Sequence, residues 1–461
     1  MKFDDVPFNS FHFRAVLFCG GSLFLDGYVL GVGGFALASW GPQVDLSPTW
    51  YGAIGSATLF GLFAGSLAFG RITDRFGRKP LFFAHLVALL LLSPVQALAQ
   101  GPLSLFAVRF LMGVAIGADF TIAITMLAEL VPRRRRGLLL SCLNVLAIVG
   151  LALAYPVKAA LDGLGDSSWR WLLASSAVPA VLVLLLRIGA PESPRWLLEK
   201  GRQAEARAVL DRFYGTDVQI EAGDRRDPGA SAGMRELFSR RMWRRTVFAG
   251  GFWACQGLPY YAIYIFQGQI SEAVGLGTGF WPGLVFNLFL LLGAVAGLPV
   301  AGRAPRRGML LWTFAVTTVA LAVLAGLPKD LVVLHVAAFA VFALVLAAAT
   351  NLQSVYPGEL FPTELRATGV GVATAISRIG ACVGTFLLPI VIDRFGIQVS
   401  LYGLAAVLAL GFALTRAWAP ETQDLALAEA SRVAPPPAPP GDSPGSAAAP
   451  RSTEELRRNL R

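Results

Sequence analysis

Four charged side chains stand inside long apolar stretches of this chain, where a charge is energetically costly. They are Asp26, Arg109, Asp119 and Arg378. One charge near the centre of a bilayer costs at least about 2.5–3.5 kcal/mol, so each of the four requires a specific role. A carboxylate in such surroundings can bind and release a proton, whereas a guanidinium can pair with a carboxylate or with another anion.

The two carboxylates and Arg109 form a candidate proton site. Asp26 lies about eleven residues into the first apolar stretch, and Asp119 lies in the middle to inner part of the fourth. Arg109 is on the same stretch as Asp119, about two and a half turns nearer its start. We predict that Asp26 or Asp119 binds and releases the coupled proton and that Arg109 pairs with a carboxylate and favours its ionised form. The alternative is a static buried pair that holds helices together.

Arg378 is a candidate anion-binding residue because its own apolar stretch offers no obvious acidic partner. A guanidinium that faces a water-filled cavity can bind an anionic substrate. The alternative is a salt bridge to Asp26 or Asp119. Neutral polar residues in the apolar stretches complete the candidate substrate site. They are Gln256, Asn287, Asn351, Gln353, Tyr28, Asn144 and Tyr260.

Composition indicates a membrane protein. The chain has 461 residues, of which 55% are hydrophobic and 15% are charged, against about 25% charged residues in a soluble domain. We predict an all-α chain with twelve membrane spans, each near the roughly 20 residues that cross a bilayer. The predicted spans are 15–38, 50–70, 80–99, 103–130, 138–160, 169–189, 246–270, 281–302, 308–327, 331–356, 368–392 and 399–418.

Two short motifs occur twice, which indicates an internal repeat. Residues 129–136 and 359–366 share Glu, Leu, Pro and a final Arg at an offset of 230 residues, and Pro-Glu-Ser at 191–193 matches Pro-Glu-Thr at 420–422 at an offset of 229. Each motif follows a long apolar stretch. Two copies of one six-helix unit are therefore predicted, as in many secondary transporters.

The repeat defines the predicted domains. Residues 1–189 form the N-terminal half, 190–245 a cytoplasmic loop with short helices, 246–420 the C-terminal half, and 421–461 a disordered cytoplasmic tail. Most Lys and Arg residues between the spans fall on the side that holds both termini and the central loop. The positive-inside rule therefore places that side in the cytoplasm. The same distribution explains the net charge of +10 without a nucleic-acid partner.

The loop between spans 2 and 3 carries a family signature. Residues 70–80 read Gly-Arg-Ile-Thr-Asp-Arg-Phe-Gly-Arg-Lys-Pro. This resembles the signature loop of the major facilitator superfamily, which implies twelve helices in two pseudo-symmetric halves. The corresponding loop of the second half, 302–308, lacks the Asp, so we expect a cytoplasmic latch that relies on Asp74.

Further stretches resemble the sugar-porter and metabolite:proton symporter branches of that superfamily. They are 191–197, 359–369 and 420–422. In the family, such motifs form cytoplasmic salt bridges between the halves, so the resemblance implies a gate here. The predicted gate residues are Gly70, Asp74, Arg75, Gly77, Arg78, Glu129, Arg136, Glu192, Arg195, Glu359, Arg366 and Glu421.

Two more stretches resemble proton-coupled symporters. Residues 109–120 resemble span 4 of metabolite and phosphate symporters, and Asp26-Gly27-Tyr28 resembles the D-G-Y-D of span 1 in aromatic-acid symporters. Val29 replaces the second Asp of that pattern. This chain therefore departs from that pattern and lacks one of the two carboxylates that the resemblance implies.

These features predict a monomeric secondary transporter in a bacterial inner membrane that moves a small polar metabolite together with protons. We expect an organic anion, with aromatic acids included. The chain has no P-loop motif and no metal-ligand spacing among its cysteines, so we expect no ATP, metal, cofactor or enzymatic activity. The alternatives are a sugar or polyol porter and a non-transporting sensor built on a carrier fold.

Overall fold

The structure is a computed structural model that describes residues 6–132, 135–215, 234–275, 280–362 and 365–423. At a few helix positions within these ranges only the backbone is described. The predicted flexible loop at 221–233 and most of the predicted tail lie outside the described residues. The secondary structure of the described residues is helical throughout.

The first half contains spans 1 to 6. Span 6 is broken at 175–176 into two pieces, which are Ser168–Ala174 and Ala177–Leu186. The other bounds are Ser10–Trp40, Pro48–Phe76, Arg78–Ala97, Pro102–Leu130 and Arg136–Leu161 for spans 1 to 5. Three short helices follow in the central loop, at Pro194–Glu199, Gln203–Phe213 and Met234–Leu237.

The second half contains spans 7 to 12. Span 10 ends as an α-helix at Thr350, earlier than predicted, and continues as the 3₁₀ turn Asn351–Ser354 and the short helix Tyr356–Leu360. Spans 11 and 12 form the run Arg366–Trp418, which is divided at Gly396. The remaining bounds are Trp243–Ile265 for span 7, Phe280–Arg303 for span 8 and Arg306–Gly326 for span 9.

Nine helical segments among the described residues are long and apolar enough to cross a membrane. Two of them, Arg136–Leu186 and Thr368–Trp418, are 51-residue runs that each contain two spans. The helix Trp243–Ile265 is span 7 but is not among the nine. The described helices therefore agree with the predicted twelve spans.

Local signals set several helix ends. At the start of span 1, the Asn9 side chain accepts a hydrogen bond from the His12 amide (3.1 Å), and His12 Nδ1 accepts one from the Asn9 amide (3.0 Å). This capping box satisfies two amides that would otherwise lack partners. Gly77 has φ of 93° between spans 2 and 3, and Gly396 has φ of 82° between spans 11 and 12. Other residue types adopt such angles only with strain.

Glycines let helices of the same half pack at backbone distance. A Cβ added to Gly150 of span 5 would lie 1.8 Å from the carbonyl oxygen of Phe24 in span 1. In the second half, a Cβ on Gly293 of span 8 would lie 2.0 Å from the carbonyl oxygen of Leu344 in span 10. Small residues at helix contacts are typical of membrane bundles, where close packing drives association.

The two halves touch at more than one depth of the bundle, and one contact is the hydrogen bond from Asn144 of span 5 to the carbonyl oxygen of Thr350 in span 10 (3.0 Å). We call the end that holds the loops between spans 2 and 3, 4 and 5, 8 and 9, and 10 and 11 the motif end. At the opposite end, a Cβ on Gly52 of span 2 would lie 2.1 Å from the carbonyl oxygen of Phe386 in span 11. Nearby, the Tyr264 hydroxyl of span 7 donates to the carbonyl oxygen of Leu151 in span 5 at 2.6 Å.

Candidate functional site

A cavity of about 180 Å³ lies between the two halves. Spans 1, 2, 4 and 5 line it from the first half, and spans 7, 10 and 11 line it from the second. Two of the four charged residues singled out in the sequence, Asp26 and Arg378, lie in its wall. The cavity is therefore the place where a buried carboxylate and a buried cation share one space.

The two walls of the cavity differ in chemistry. The first half contributes mostly aliphatic side chains and Phe120, and its polar groups in the wall are Asp26 and Asn144. The second half contributes most of the polar and aromatic groups. These are Trp253, Tyr260, Tyr261, Thr350, Gln353, Thr374, Ser377 and Arg378. The hydrogen-bonding groups that can orient a polar ligand are therefore concentrated in the second half.

Arg378 is buried and has no carboxylate partner among the described residues. Its Nη1 donates to the Tyr261 hydroxyl at 3.0 Å, and its guanidinium carbon lies 5.0 Å from the centre of the Phe120 ring. Its Nε is buried without a hydrogen-bond partner. Of the two roles considered for Arg378, this arrangement disfavours a salt bridge to Asp26 or Asp119 and leaves a cation at the cavity wall.

Asp26 is a buried carboxyl group whose two oxygens have no hydrogen-bond partner in the described part of the chain. Only 6% of its surface is exposed. An ionised carboxylate in this position would be very costly without a counter-charge.

Asp119 has a different environment, because it belongs to a buried charge cluster outside the cavity wall. Its Oδ1 lies 3.2 Å from Arg187 Nη2 in span 6 and 3.0 Å from His85 Nδ1 in span 3. Asp119 and Arg187 are both completely buried. A carboxylate oxygen of Asp26, a carboxylate oxygen of Asp119 and a ring nitrogen of His85 all lie within 4.8 Å of one another.

Arg187 is held in place from three other spans. Besides Asp119, it donates to the carbonyl oxygen of Phe82 and, at 3.4 Å, to that of Phe18. Its guanidinium carbon lies 3.2 Å above the Phe82 ring. The close atoms of Asp26, His85 and Asp119 are also compatible with a metal ion. However, the guanidinium of Arg187 already supplies positive charge to Asp119. Two carboxylates and one guanidinium carry one net negative charge, so a dication would leave the buried cluster with a net positive charge.

Arg109 does not pair with either carboxylate, contrary to our expectation. Ten residues along one helix separate it from Asp119 by about 15 Å, which is beyond its reach. Its guanidinium instead lies against Gly33 of span 1, where an added Cβ would be 1.9 Å from Nη1. Its Nε and Nη1 are buried without hydrogen-bond partners among the described residues. Arg187 occupies the role that we had predicted for Arg109.

Three of the predicted polar substrate residues line the cavity, and four do not. Asn144, Gln353 and Tyr260 lie in the wall. Two of these also bond protein groups, since Asn144 donates to the carbonyl oxygen of Thr350 and Gln353 donates to Gln256, both at 3.0 Å. The other four lie outside the wall and bond to neighbouring groups, which is the usual fate of polar side chains in membrane helices. Tyr28 bonds Ser175, Gln256 accepts from Gln353, Asn287 donates to Gly283, and Asn351 donates to Ala294.

Sequence reasoning overlooked His85 and Arg187. Both lie inside predicted spans, at 80–99 and 169–189, so the cost of burying a titratable group applied to them as well. Arg187 was overlooked because it stands near the end of its span, where an arginine can reach the membrane surface. In the structure its side chain points inward instead and is completely buried.

At the motif end, the gate residues of the first half form a cluster around the start of span 3. Glu129 forms an ion pair with Arg78 and accepts a hydrogen bond from the Ser193 hydroxyl. Glu192 accepts from the amides of Arg78 and Lys79 at 3.1 and 3.0 Å. A carboxylate at a helix N-terminus is favoured by the helix dipole.

The second half repeats this cluster around the start of span 9. Glu359 lies 3.4 Å from Arg306 and accepts from the Thr422 hydroxyl at 2.6 Å. Glu421 accepts from the amides of Arg306 and Arg307 at 2.8 and 3.1 Å. Arg306 thus takes the place of Arg78. The two clusters are equivalent although the second loop lacks the signature Asp.

These gate contacts join elements of one half, whereas the family pattern implied salt bridges between the halves. Gly77 forms the turn before span 3. Arg136, Arg195 and Arg366 lie at the same end of the bundle. The side-chain positions of Gly70, Asp74 and Arg75 lie outside the described part of the structure. The gating role of the whole set stays a prediction.

The fold and the repeated clusters define a major facilitator carrier. The family model "Sugar (and other) transporter" matches residues 18–434 of the chain. The chain therefore belongs to this transporter family, in agreement with the resemblance found in its motifs. Its relatives are transporters, which agrees with the expectation that it is not an enzyme.

Two relatives from Escherichia coli (strain K12) match nearly the whole chain. The inner membrane metabolite transport protein YgcS is 41% identical and is covered over 97% of its length, with 94% of this chain aligned. The putative metabolite transport protein YaaU is 39% identical, with the same coverage of both chains. The chain is accordingly a multi-pass membrane transporter of small metabolites.

A solved structure confirms the fold. The xylose transporter XylE of Escherichia coli, a proton:xylose symporter, superposes in a partially occluded inward open conformation with a TM-score of 0.76. The match covers 91% of this chain and 100% of XylE at 19% identity. The predicted twelve-helix fold of two halves is confirmed.

The geometry predicts different structural roles for the two carboxylates. Asp119→Asn removes the partner of a fully buried guanidinium, so we expect the free energy of unfolding to fall by about 3–5 kcal/mol. Asp26→Asn removes a group without hydrogen-bond partners and should change stability little. Thermal unfolding of detergent-purified variants measures this difference. Equal losses of melting temperature would contradict the assignment of Asp119 to a buried ion pair with Arg187.

Proposed function

We propose that the protein carries an organic anion across the inner membrane together with a proton. The observation that supports this most directly is the placement of Asp26 and Arg378 in the walls of one cavity, on opposite halves. Neither side chain is neutralised by an ion pair within the described residues. A proton on Asp26 and an anion at Arg378 neutralise both sites together.

The proposed coupling follows from the cost of buried charge. An empty cavity contains the cation Arg378, whereas an occupied one contains a neutralised pair. A substrate carboxylate beside an ionised Asp26 would be repelled in this low-dielectric space, so bound substrate favours protonated Asp26. Proton and anion therefore bind cooperatively, as symport requires. The proton coupling named for XylE supports this proposal.

Alternating access is the proposed mechanism. The predicted halves, 1–189 and 246–420, pack at the end opposite the motif end through contacts such as Gly52 with Phe386. The charge clusters around Glu129 and Glu359 each stay within one half. Each half can therefore rock as a unit, with both termini and the central loop facing the cytoplasm.

A sugar or polyol porter is the second candidate function. The description of the family model and the xylose specificity named for XylE favour it. Asn144 and Gln353 in the cavity wall can bond hydroxyl groups. The buried cation at Arg378 distinguishes the candidates, because a neutral sugar leaves it without a counter-charge.

The proton role predicts the behaviour of Asp26→Asn in proteoliposomes. Uptake driven by an applied pH gradient should be abolished, because Asn cannot release a proton. Exchange of labelled for unlabelled substrate should survive, because exchange requires no cycle of protonation. Gradient-driven accumulation by the Asn variant would disprove the assignment of the proton to Asp26.

The anion role predicts a selective loss in Arg378→Gln. Matched pairs of probes isolate the carboxylate, namely gluconate with glucose and benzoate with benzyl alcohol. We expect the variant to bind the preferred acid at least about tenfold more weakly, since a hydrogen bond to a charged group contributes about 1.5–3 kcal/mol. Its melting temperature should be retained, because no carboxylate loses a partner.

Arg378→Lys is the matched control, because it retains the positive charge without the guanidinium geometry. It should bind the acid more tightly than Arg378→Gln does. If the wild type instead binds glucose or benzyl alcohol as well as the corresponding acid, the anion proposal is wrong and the neutral-sugar candidate replaces it.

A further inference from the structure

His85 lies where a proton can be held inside the first half, away from the cavity. It is buried in span 3, and its Nδ1 lies 3.0 Å from Asp119 Oδ1. The same nitrogen lies 3.4 Å from Nη1 of Arg187. Its Nε2 is buried without a hydrogen-bond partner among the described residues.

The contact of Nδ1 with Arg187 requires an unprotonated nitrogen, whereas its contact with Asp119 is possible with the proton on either atom. A protonated Nδ1 donates to the Asp119 carboxylate, whereas an unprotonated Nδ1 accepts a hydrogen bond from Arg187 or from a protonated Asp119. One proton can therefore lie on either side of the contact between Asp119 and His85. This makes the contact a natural path for proton transfer.

The total charge of the cluster leaves room for one proton. Among the described residues, the charged or titratable groups of this cluster are Asp119 from span 4 and Arg187 from span 6, which contact His85, together with Asp26 from span 1. Cys19 of span 1 lies near Asp119 and Arg187. Two carboxylates and one guanidinium carry one net negative charge. A single proton neutralises the cluster, whether it is bound to Asp26 or to His85.

Arg187 is held in place, so its positive charge is a constant part of the cluster. Its donors are occupied by carbonyl oxygens of spans 1 and 3 as well as by Asp119. The cluster therefore has a fixed positive charge and a variable proton. Asp26 provides the end that faces the cavity.

We propose that His85 binds the coupled proton inside the first half, away from the cavity, and exchanges it with Asp26 through Asp119. This proposal rests on the proposed proton symport. In the structure Asp26 and Asp119 lie within 4.8 Å of each other but share no hydrogen bond, so the two carboxyl groups must first close to hydrogen-bond distance. The O–H bond of protonated Asp26 then breaks as Asp119 accepts the proton. The new O–H bond of Asp119 then breaks as an N–H bond forms at His85 Nδ1. Asp26 is left ionised at the cavity wall, within 4.8 Å of the charged imidazole.

The most direct test follows the imidazole itself. The chain has only three histidines, so ¹⁵N NMR of histidine-labelled wild-type protein can resolve each one, with His12→Asn and His335→Gln used for assignment. We expect His85 to become doubly protonated over the pH range in which uptake rises. His335, whose Nδ1 lies 3.1 Å from the Leu331 carbonyl oxygen of its own helix, is an internal control. A His85 signal that stays neutral throughout would overturn the proposal.

The functional test uses His85→Asn, since an Asn amide can donate to Asp119 from near the position of Nδ1 but cannot bind a proton. Uptake of labelled gluconate or benzoate is measured against pH. Loss of a basic position weakens proton binding, so the pH of half-maximal uptake should fall by at least about one unit, a tenfold change in proton affinity. Substrate exchange at acidic pH should persist.

His335→Gln is the matched control, because it removes another buried histidine and should leave the pH profile unchanged. An unchanged profile in His85→Asn would show that His85 only donates a hydrogen bond, and the proposal would be wrong. A wild type without pH-dependent uptake of either acid would instead refute the proposed symport. If His85→Asn does not fold, the NMR titration of the wild type decides.

Discussion

The buried ion pair between Asp119 and Arg187 is the constraint around which the first half is arranged. Arg187 bonds carbonyl oxygens in spans 1 and 3 as well as the carboxylate in span 4, so it connects four helices. A buried ion pair requires hydrogen bonds for its remaining groups, which Arg187 has in these carbonyl oxygens, whereas Asp119 Oδ2 has no hydrogen-bond partner among the described residues. This requirement fixes how the four helices meet, and the same junction places Asp26 and His85 close to a permanent charge.

The two halves share an architecture but carry different chemistry. Their motif-end clusters match closely, with Arg78 and Arg306 in corresponding places. The buried charges do not match, because the first half contains the acid cluster and the second contains Arg378. The repeat therefore supplies a symmetric scaffold for the proposed rocking motion, while the departures from symmetry carry the proposed specificity for proton and anion.

The sequence was sufficient for the fold and for part of the site. Apolar stretches predict helices because each must satisfy its backbone internally in a bilayer, and the repeated motifs predict the two halves. Asp26, Asp119 and Arg378 could be found because a buried charge is conspicuous. Their partners could not, since side-chain pairing depends on helix rotation, which span positions do not specify. Arg109 was therefore expected to pair with a carboxylate. The partner of Asp119 is instead Arg187, which is far away in sequence.

The central claim is that anion binding at Arg378 and proton binding in the cluster around Asp26 are coupled. Proton uptake on ligand binding tests this without any transport assay. Purified protein in weak buffer with a pH indicator is mixed with the acid probe that it binds, at a pH where the empty carrier is unprotonated. The account predicts uptake of about one proton per bound anion by the wild type and none by Asp26→Asn. Anion binding by the wild type without proton uptake would contradict it.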